Sequence, residues 1–123
     1  MSASYYYDTV AFDVRENATM LFFARTNASG DIEDYLLLMR AIEENFEDFI
    51  FLEVNEEQLD GSRLIRTAEM RENILTLFFC EPVKVFEDAT QLVLVFENSD
   101  ENRTSMEIGA FRVLGDKLTG GHA

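Results

Sequence analysis

Residues 31–45 read DIEDYLLLMRAIEEN, and the period assigned to them decides the fold class. Asp31 can cap a helix whose first turn carries Glu33 and Asp34, where carboxylates meet the positive end of the helix dipole. Ile32, Tyr35, Leu36, Met39 and Ile42 then recur at helical spacing and mark a buried face. Leu37 and Leu38 widen that stripe, so the helix is expected to be covered on more than one side. It frays near Asn45. The next stretch, DFIFLEVN, alternates as a strand, with Ile50, Leu52 and Val54 on one side and Phe49, Phe51 and Glu53 on the other.

Upstream of the helix, SYYYDTVAFDVRENATMLFFAR reads as two strands. Val10, Phe12 and Val14 alternate in the first; Met20, Phe22 and Ala24 alternate in the second, and RENA is the polar turn between them. TNASGD breaks the pattern before Asp31. Downstream, EEQLDG is a loop closed by Asp60-Gly61. SRLIRTAEMR and NILTLFFC then form two antiparallel strands joined around Glu72. EPVKVFEDA fits a short helix opened by Pro82 or an edge strand, and TQLVLVFEN is apolar enough for the middle of a sheet. Thr104 and Glu107 match a capping box, Ile108, Phe111, Leu114 and Leu118 give a helical stripe, and Gly115 is its stop. Gly109 weakens that helix.

Runs of consecutive strands without a βαβα rhythm predict an α+β fold. The expected form is a mostly antiparallel sheet of about six strands with two helices packed on one face. Residues 1–118 are read as a single α+β domain and residues 119–123 as a flexible C-terminal tail. At 123 residues with 47% hydrophobic content and 11 Phe, the chain can bury a real core. No apolar run approaches the length of a membrane span. MSASYYYDTV lacks a basic segment followed by an apolar one, so no signal peptide is read. Cys80, the single cysteine, fits a reducing compartment, and a cytoplasmic location is expected. The sequons at Asn17, Asn27 and Asn102 are read as chance matches in turn-like sequence.

The formal net charge is −14. Nucleic acid and anionic membrane surfaces are therefore not expected partners, since both are bound through Lys and Arg. The imbalance is local: residues 31–60 hold 11 Asp/Glu and one Lys/Arg, a net of −10, against −4 elsewhere. No catalytic residue is assigned. His122 is the penultimate residue of the sequence, where a general base is not expected to have fixed geometry. Cys80 beside Glu81 is read as a buried, inert thiol. Two Cys/His residues in all do not make a zinc site, and neither NEEQLDG nor NSDENRTSME has EF-hand spacing. No GxGxxG or P-loop occurs. The chain is read as a non-enzyme without cofactor or metal.

The remaining signal is Glu43, Glu44, Glu47, Asp48, Glu53, Glu56, Glu57 and Asp60: eight carboxylates with no Lys or Arg between residues 43 and 61. They can serve as a solvated face that keeps a hydrophobic protein dissolved. They can also serve as a docking surface for a basic partner. Glu43 and Glu44 at a helix C-terminus would oppose the dipole, and the group at Glu53–Asp60 falls on a strand end and loop, where recognition concentrates. Tyr5, Tyr6 and Tyr7 are candidate aromatic anchors or alternating residues of an edge strand. The apolar excess on Leu37, Leu38, Phe49 and Phe51 suits a homodimer interface or a ligand cavity.

EDYLLLMRAIEE, followed by FIFLEVNEEQLDG and the strand pair RLIRTAEMRENILTLFF, resembles the tenth numbered immunity protein family of bacterial polymorphic toxin systems. That family's pattern runs from a helix like Tyr35 to Arg40, through a strand and turn like Leu52 to Gly61, to a hairpin like Leu64 to Phe79. A proline-containing segment like Glu81 to Asp88 and a strand like Leu92 to Phe96 follow. The resemblance covers roughly residues 18–118. The doubled-glycine turn of the family is absent here, and its D-Q is E-E-Q. The resemblance implies a small cytosolic α+β protein that binds and neutralises a cognate toxin, with a basic nuclease-like effector fitting the charge. The alternative is a small-ligand-binding or metal-binding α+β domain.

Overall fold

The computed structural model describes residues 1–41 and 49–119. Glu43, Glu44, Glu47, Asp48 and His122 lie outside the described residues. The described chain is α+β, but its strands divide between two five-stranded sheets rather than forming one sheet of about six. β1 (Ser2–Tyr7) opens the first sheet; β2 (Thr9–Val14), β3 (Ala18–Thr26), β4 (Ile32–Ala41), β5 (Phe49–Val54) and β6 (Glu57–Asp60) form the second as an antiparallel meander. A single helical turn, α1 (Gly61–Leu64), returns the chain to the first sheet for β7 (Ile65–Arg71), β8 (Ile74–Val83) and β9 (Ala89–Phe96). The long helix α2 (Asp100–Leu114) follows, and β10 (Leu118–Thr119) pairs parallel to β7. β1 pairs parallel to β9 at the other edge, from Ser2 opposite Gln91 to Tyr7 opposite Phe96.

The helix expected at residues 31–45 is β4 over its described part. A helix lying on a sheet buries one stripe, whereas Tyr35 to Met39 is apolar on consecutive positions. A strand flanked on both sides satisfies that pattern: Leu36 and Leu38 are fully buried on one face, while Leu37 and Met39 lie half-buried on the other. Ladder pairing to β3 and β5 therefore overrides the helical preference of Leu and Met. Two further readings change with it. The loop EEQLDG is β6, hairpin partner of β5, and the opening segment contains three strands, because β1 belongs to a different sheet from β2.

The core forms where the inner faces of the sheets meet. Phe23 of β3 packs against Tyr7 and Phe96, with ring centroids 5.8 and 6.4 Å away. Leu21, Leu36, Leu38, Leu52, Leu75, Leu77, Leu92 and Leu94 are fully buried around them. Helix α2 covers the rest of the inner face of the second sheet. Gly109 permits that approach: a Cβ there would stand 2.5 Å from Leu21 Cδ1 and 3.2 Å from Phe12 Cβ. The glycine read as a weakness in the helix is thus its contact point.

Sequence spacing misplaced the helix start and half of the stripe: Leu114 and Leu118 are buried, whereas Ile108 and Phe111 are not. The N-cap is Ser99, whose hydroxyl accepts from the Asn102 N–H at 3.1 Å, with Asp100 and Glu101 in the first turn. Thr104 lies inside the helix. Its buried face is Asn102, Met106, Gly109, Ala110, Val113 and Leu114, while Ile108 and Phe111 are 39% and 64% exposed. Small residues mark the close approach, and a stripe chosen by large residues misses them. Gly115 does stop the helix, at φ +54°. Arg40 Nε donates to the Val113 carbonyl at 2.7 Å, placing a cation on the negative end of the dipole. The segment after Cys80 carries both of the forms read for it: β8 runs through Pro82 to Val83, past a register shift, and a 3₁₀ turn spans Lys84–Phe86.

Asn102 is the one buried polar side chain among the described residues. Its Oδ1 accepts from the Val10 N–H at 3.1 Å, and its Nδ2 donates to the carbonyls of Asp8 and Glu97, each at 3.0 Å. Its burial also closes that sequon to a glycan in the folded chain. Replacing Asn102 with Ala strands one backbone donor and two acceptors in the interior, and is expected to cost about 2–4 kcal/mol. Urea unfolding of the variant measures that loss.

Candidate functional site

The described half of the acidic cluster sits on the β5–β6 hairpin, and its four carboxylates point in different directions. Glu53 pairs across the strands with Gln58 and Phe51 with Asp60, which puts Glu53 and Asp60 on the outer face of the second sheet. Val54 pairs with Glu57, so Glu57 lies on the inner side, at the mouth of a cleft between the sheets. Glu56 occupies the turn tip.

The turn is held open against backbone preference. Asn55 and Glu56 have φ +45° and +75°, the left-handed pair that a two-residue hairpin loop requires and that Asn-Gly normally fills. Tyr35 of β4 supports it. The Tyr35 N–H donates to Asn55 Oδ1 at 2.8 Å, the Asn55 N–H donates to the Tyr35 carbonyl at 3.2 Å, and the Glu56 N–H donates to Tyr35 Oη at 2.9 Å. Tyr35 Oη in turn donates to Glu53 Oε2 at 2.6 Å, while Gln58 Nε2 donates to Oε1 at 3.0 Å. Those bonds hold the Glu53 carboxyl below the usual carboxylate range, Tyr35 contributing most, and they raise Tyr35. Tyr35, read from spacing as a buried helix residue, is the positioning residue of this hairpin.

Asp60 is committed locally: its Oδ1 accepts from the Arg63 N–H at 3.2 Å and caps α1. Among the described residues, no Lys or Arg forms an ion pair with Glu53, Glu56, Glu57 or Asp60. Ion pairs between described residues include Arg15–Asp13, Arg25 with Glu33 and Asp34, Arg63–Glu81 and Arg103–Asp100.

The cleft beside Glu57 has a volume of about 420 Å³ and is bounded by Tyr5, Tyr7, Arg25, Asp34, Asn55 and Val85. Tyr6 borders the cleft as well, but the three tyrosines stand in different settings. Tyr7 is buried on Phe23, Tyr5 leans on Phe86 with centroids 6.0 Å apart, and Tyr6 is exposed. They alternate as residues of an edge strand do. Burial raises the phenols of Tyr5 and Tyr7. Cys80 is exposed rather than buried, because it follows the point at which the β8–β9 register shifts. Among the described residues, no group of three or more His, Cys, Asp or Glu is placed to hold a metal ion, and no helix is long and apolar enough to cross a membrane.

The apolar excess read at Leu37, Leu38, Phe49 and Phe51 divides: Leu38 is buried in the core, whereas Leu37, Phe49 and Phe51 join Met20, Phe22 and Met39 half-buried on the outer face of the second sheet. Its signal was present in three strands, each apolar on consecutive positions: MLFFA, YLLLM and FIFL. No protein-family model matches the chain, and no curated protein matches it either.

Three outcomes follow from the hairpin and from Asp8. Glu56→Gly relieves a left-handed L-residue and is expected to raise stability by about 0.5–1 kcal/mol, read from the chemical-denaturation midpoint. Glu53 and Asp8 both titrate low, Asp8 chiefly through the Thr26 N–H, 2.8 Å from its Oδ2. Depressed carboxylates stabilise the fold above their unfolded pKa of about 4 and lose that contribution as pH falls through the folded values. Stability should therefore drop in acid. In Tyr35→Phe, the Glu53 titration followed by carboxyl NMR should move upward toward the ordinary value.

Proposed function

We propose that this protein is a stoichiometric inhibitor of immunity type that binds and neutralises a basic cognate toxin in the cytoplasm. The observation carrying this reading is the β5–β6 hairpin, on which Glu53, Glu56, Glu57 and Asp60 stand without a cationic partner among the described residues. The hairpin is braced by Tyr35 in a conformation its own backbone resists. A rigid, unneutralised anionic edge on a chain of net charge −14 attracts a Lys/Arg-rich surface and steers its approach. A nuclease toxin has such a surface, because it must attract phosphate. The resemblance to the tenth numbered immunity family points the same way from Leu52 onward, while its opening helix, Tyr35 to Arg40, is strand β4 here.

The alternative, a small-ligand site, finds its support in the cleft of about 420 Å³. There Arg25 and Asp34 are already paired with each other, while the hairpin beside the cleft carries four carboxylates with no ion pair among the described residues. That distribution favours a macromolecular partner.

The test is co-expression with any toxin domain found encoded next to this protein's gene, followed by binding kinetics. The wild type is expected to restore growth. Converting Glu53, Glu56, Glu57 and Asp60 to Gln or Asn should slow association about tenfold or more and flatten its salt dependence. Unchanged association and salt dependence would falsify the hairpin as the steering surface.

A further inference from the structure

We infer that the outer face of the second sheet is the docking surface itself, and that its occupant is a basic protein rather than a second copy of this chain. The inference rests on the immunity reading and assigns that reading its contact surface.

An antiparallel sheet with one face on the core ordinarily turns polar side chains outward. Here the cross-strand register lays two apolar rows on the outer face. One runs Asp13, Met20, Met39, Phe51, Asp60 across the five strands; the next runs Ala11, Phe22, Leu37, Glu53, Gln58. The apolar members pack on one another, with Phe49 and Phe51 edge to face at 4.5 Å and Phe22 and Tyr35 at 5.7 Å. Each is partly buried by its neighbours rather than covered by a further layer among the described residues. Helix α2 and the first sheet both lie against the opposite face, as the contacts of Gly109 with Leu21 and of Tyr7 and Phe96 with Phe23 require.

Charge selects the occupant. The first row carries a carboxylate at each end, and Glu53 stands beside Leu37 in the second. The cation at this face is Arg15, which pairs with Asp13 at 2.8 Å. A two-fold dimer through this face would set the same acidic margin against itself, on two chains of net charge −14 each. A basic protein meets the margin with Lys or Arg and covers Met20, Met39, Phe51 and Leu37 with apolar side chains. An apolar centre inside a charged rim is how stable interfaces are built. The hairpin then supplies speed of encounter, and the apolar rows supply the lifetime of the complex.

The test uses the full chain, a catalytically inactivated toxin domain that the co-expression experiment has shown to be neutralised, and three variants. Leu37→Lys places a like charge before the partner. Leu37→Thr keeps a strand-favouring residue and guards against misfolding of the first variant. Phe111→Ser alters an exposed apolar residue on α2, away from this face. Both Leu37 variants are expected to weaken binding about thirtyfold or more through faster dissociation, with Phe111→Ser binding as wild type and the free wild type sedimenting as a monomer. Binding that survives both Leu37 changes overturns the docking face and leaves the immunity reading in place. A toxin domain that fails to bind the wild type overturns both. A wild-type dimer that Leu37→Lys converts to monomer overturns the choice of occupant.

Discussion

The arrangement of the two sheets depends on a single carboxamide. The chain leaves the first sheet at Tyr7 and enters the second at Thr9, and only Asp8 lies between. Asn102 binds the carbonyl of Asp8 and the amide of Val10 on either side of that crossing, and through Glu97 it also holds the end of β9. Because Asn102 sits in the first turn of α2, the helix start, the crossing and the strand end become one unit. The far side of the crossing is tied as well, since Asp8 accepts from both the backbone and the hydroxyl of Thr26. Buried polar groups satisfied on every side fix geometry more sharply than apolar contacts, which tolerate sliding.

That unit decides what the second sheet can do with its two faces. With α2 and the first sheet both drawn onto the inner face, the outer face keeps its methionines, leucine and phenylalanines without a covering layer among the described residues. The same sheet carries the hairpin whose turn holds Glu56 at φ +75°. Other turns follow the habit: Glu72, Glu87 and Asp88 also have positive φ. Acidic side chains therefore stand where glycine would relieve the backbone, and the chain spends stability to keep charge at its turn tips.

Much of the architecture was legible in the sequence, for a physical reason. Alternation at Val10–Val14 suits a half-buried strand, and the short runs Phe49–Val54 and Leu92–Phe96, rich in β-branched and aromatic residues, suit strands inside a sheet. Gly115 as a helix stop was legible because the left-handed conformation falls mostly to glycine. Residues 32–41 were not legible. Leu, Met and Tyr serve a helix or a central strand, and the choice lay with β3 and β5, which flank that segment only after folding. The buried face of α2 was hidden for a related reason: Gly109 and Ala110 mark it by their smallness, which becomes informative only when Leu21 is seen against them. On the candidate site, the sequence exposed the charge and not its brace. Tyr35 stands 18 residues before Glu53, and nothing local announces the bond between them.

What the sequence by itself determined is composition-borne: the excess of carboxylates concentrated in one quarter of the chain, the apolar content sufficient for a core, and the α+β class. These follow from residue types and their local period, which need no knowledge of neighbours. Tertiary structure alone decided that the strands divide into two sheets, that Glu53 and Glu57 face opposite ways, and that an apolar surface lies within an acidic margin. Each of those depends on which strand pairs with which. A register shifted by one residue would turn every side chain of a strand to the other face while leaving the sequence unchanged.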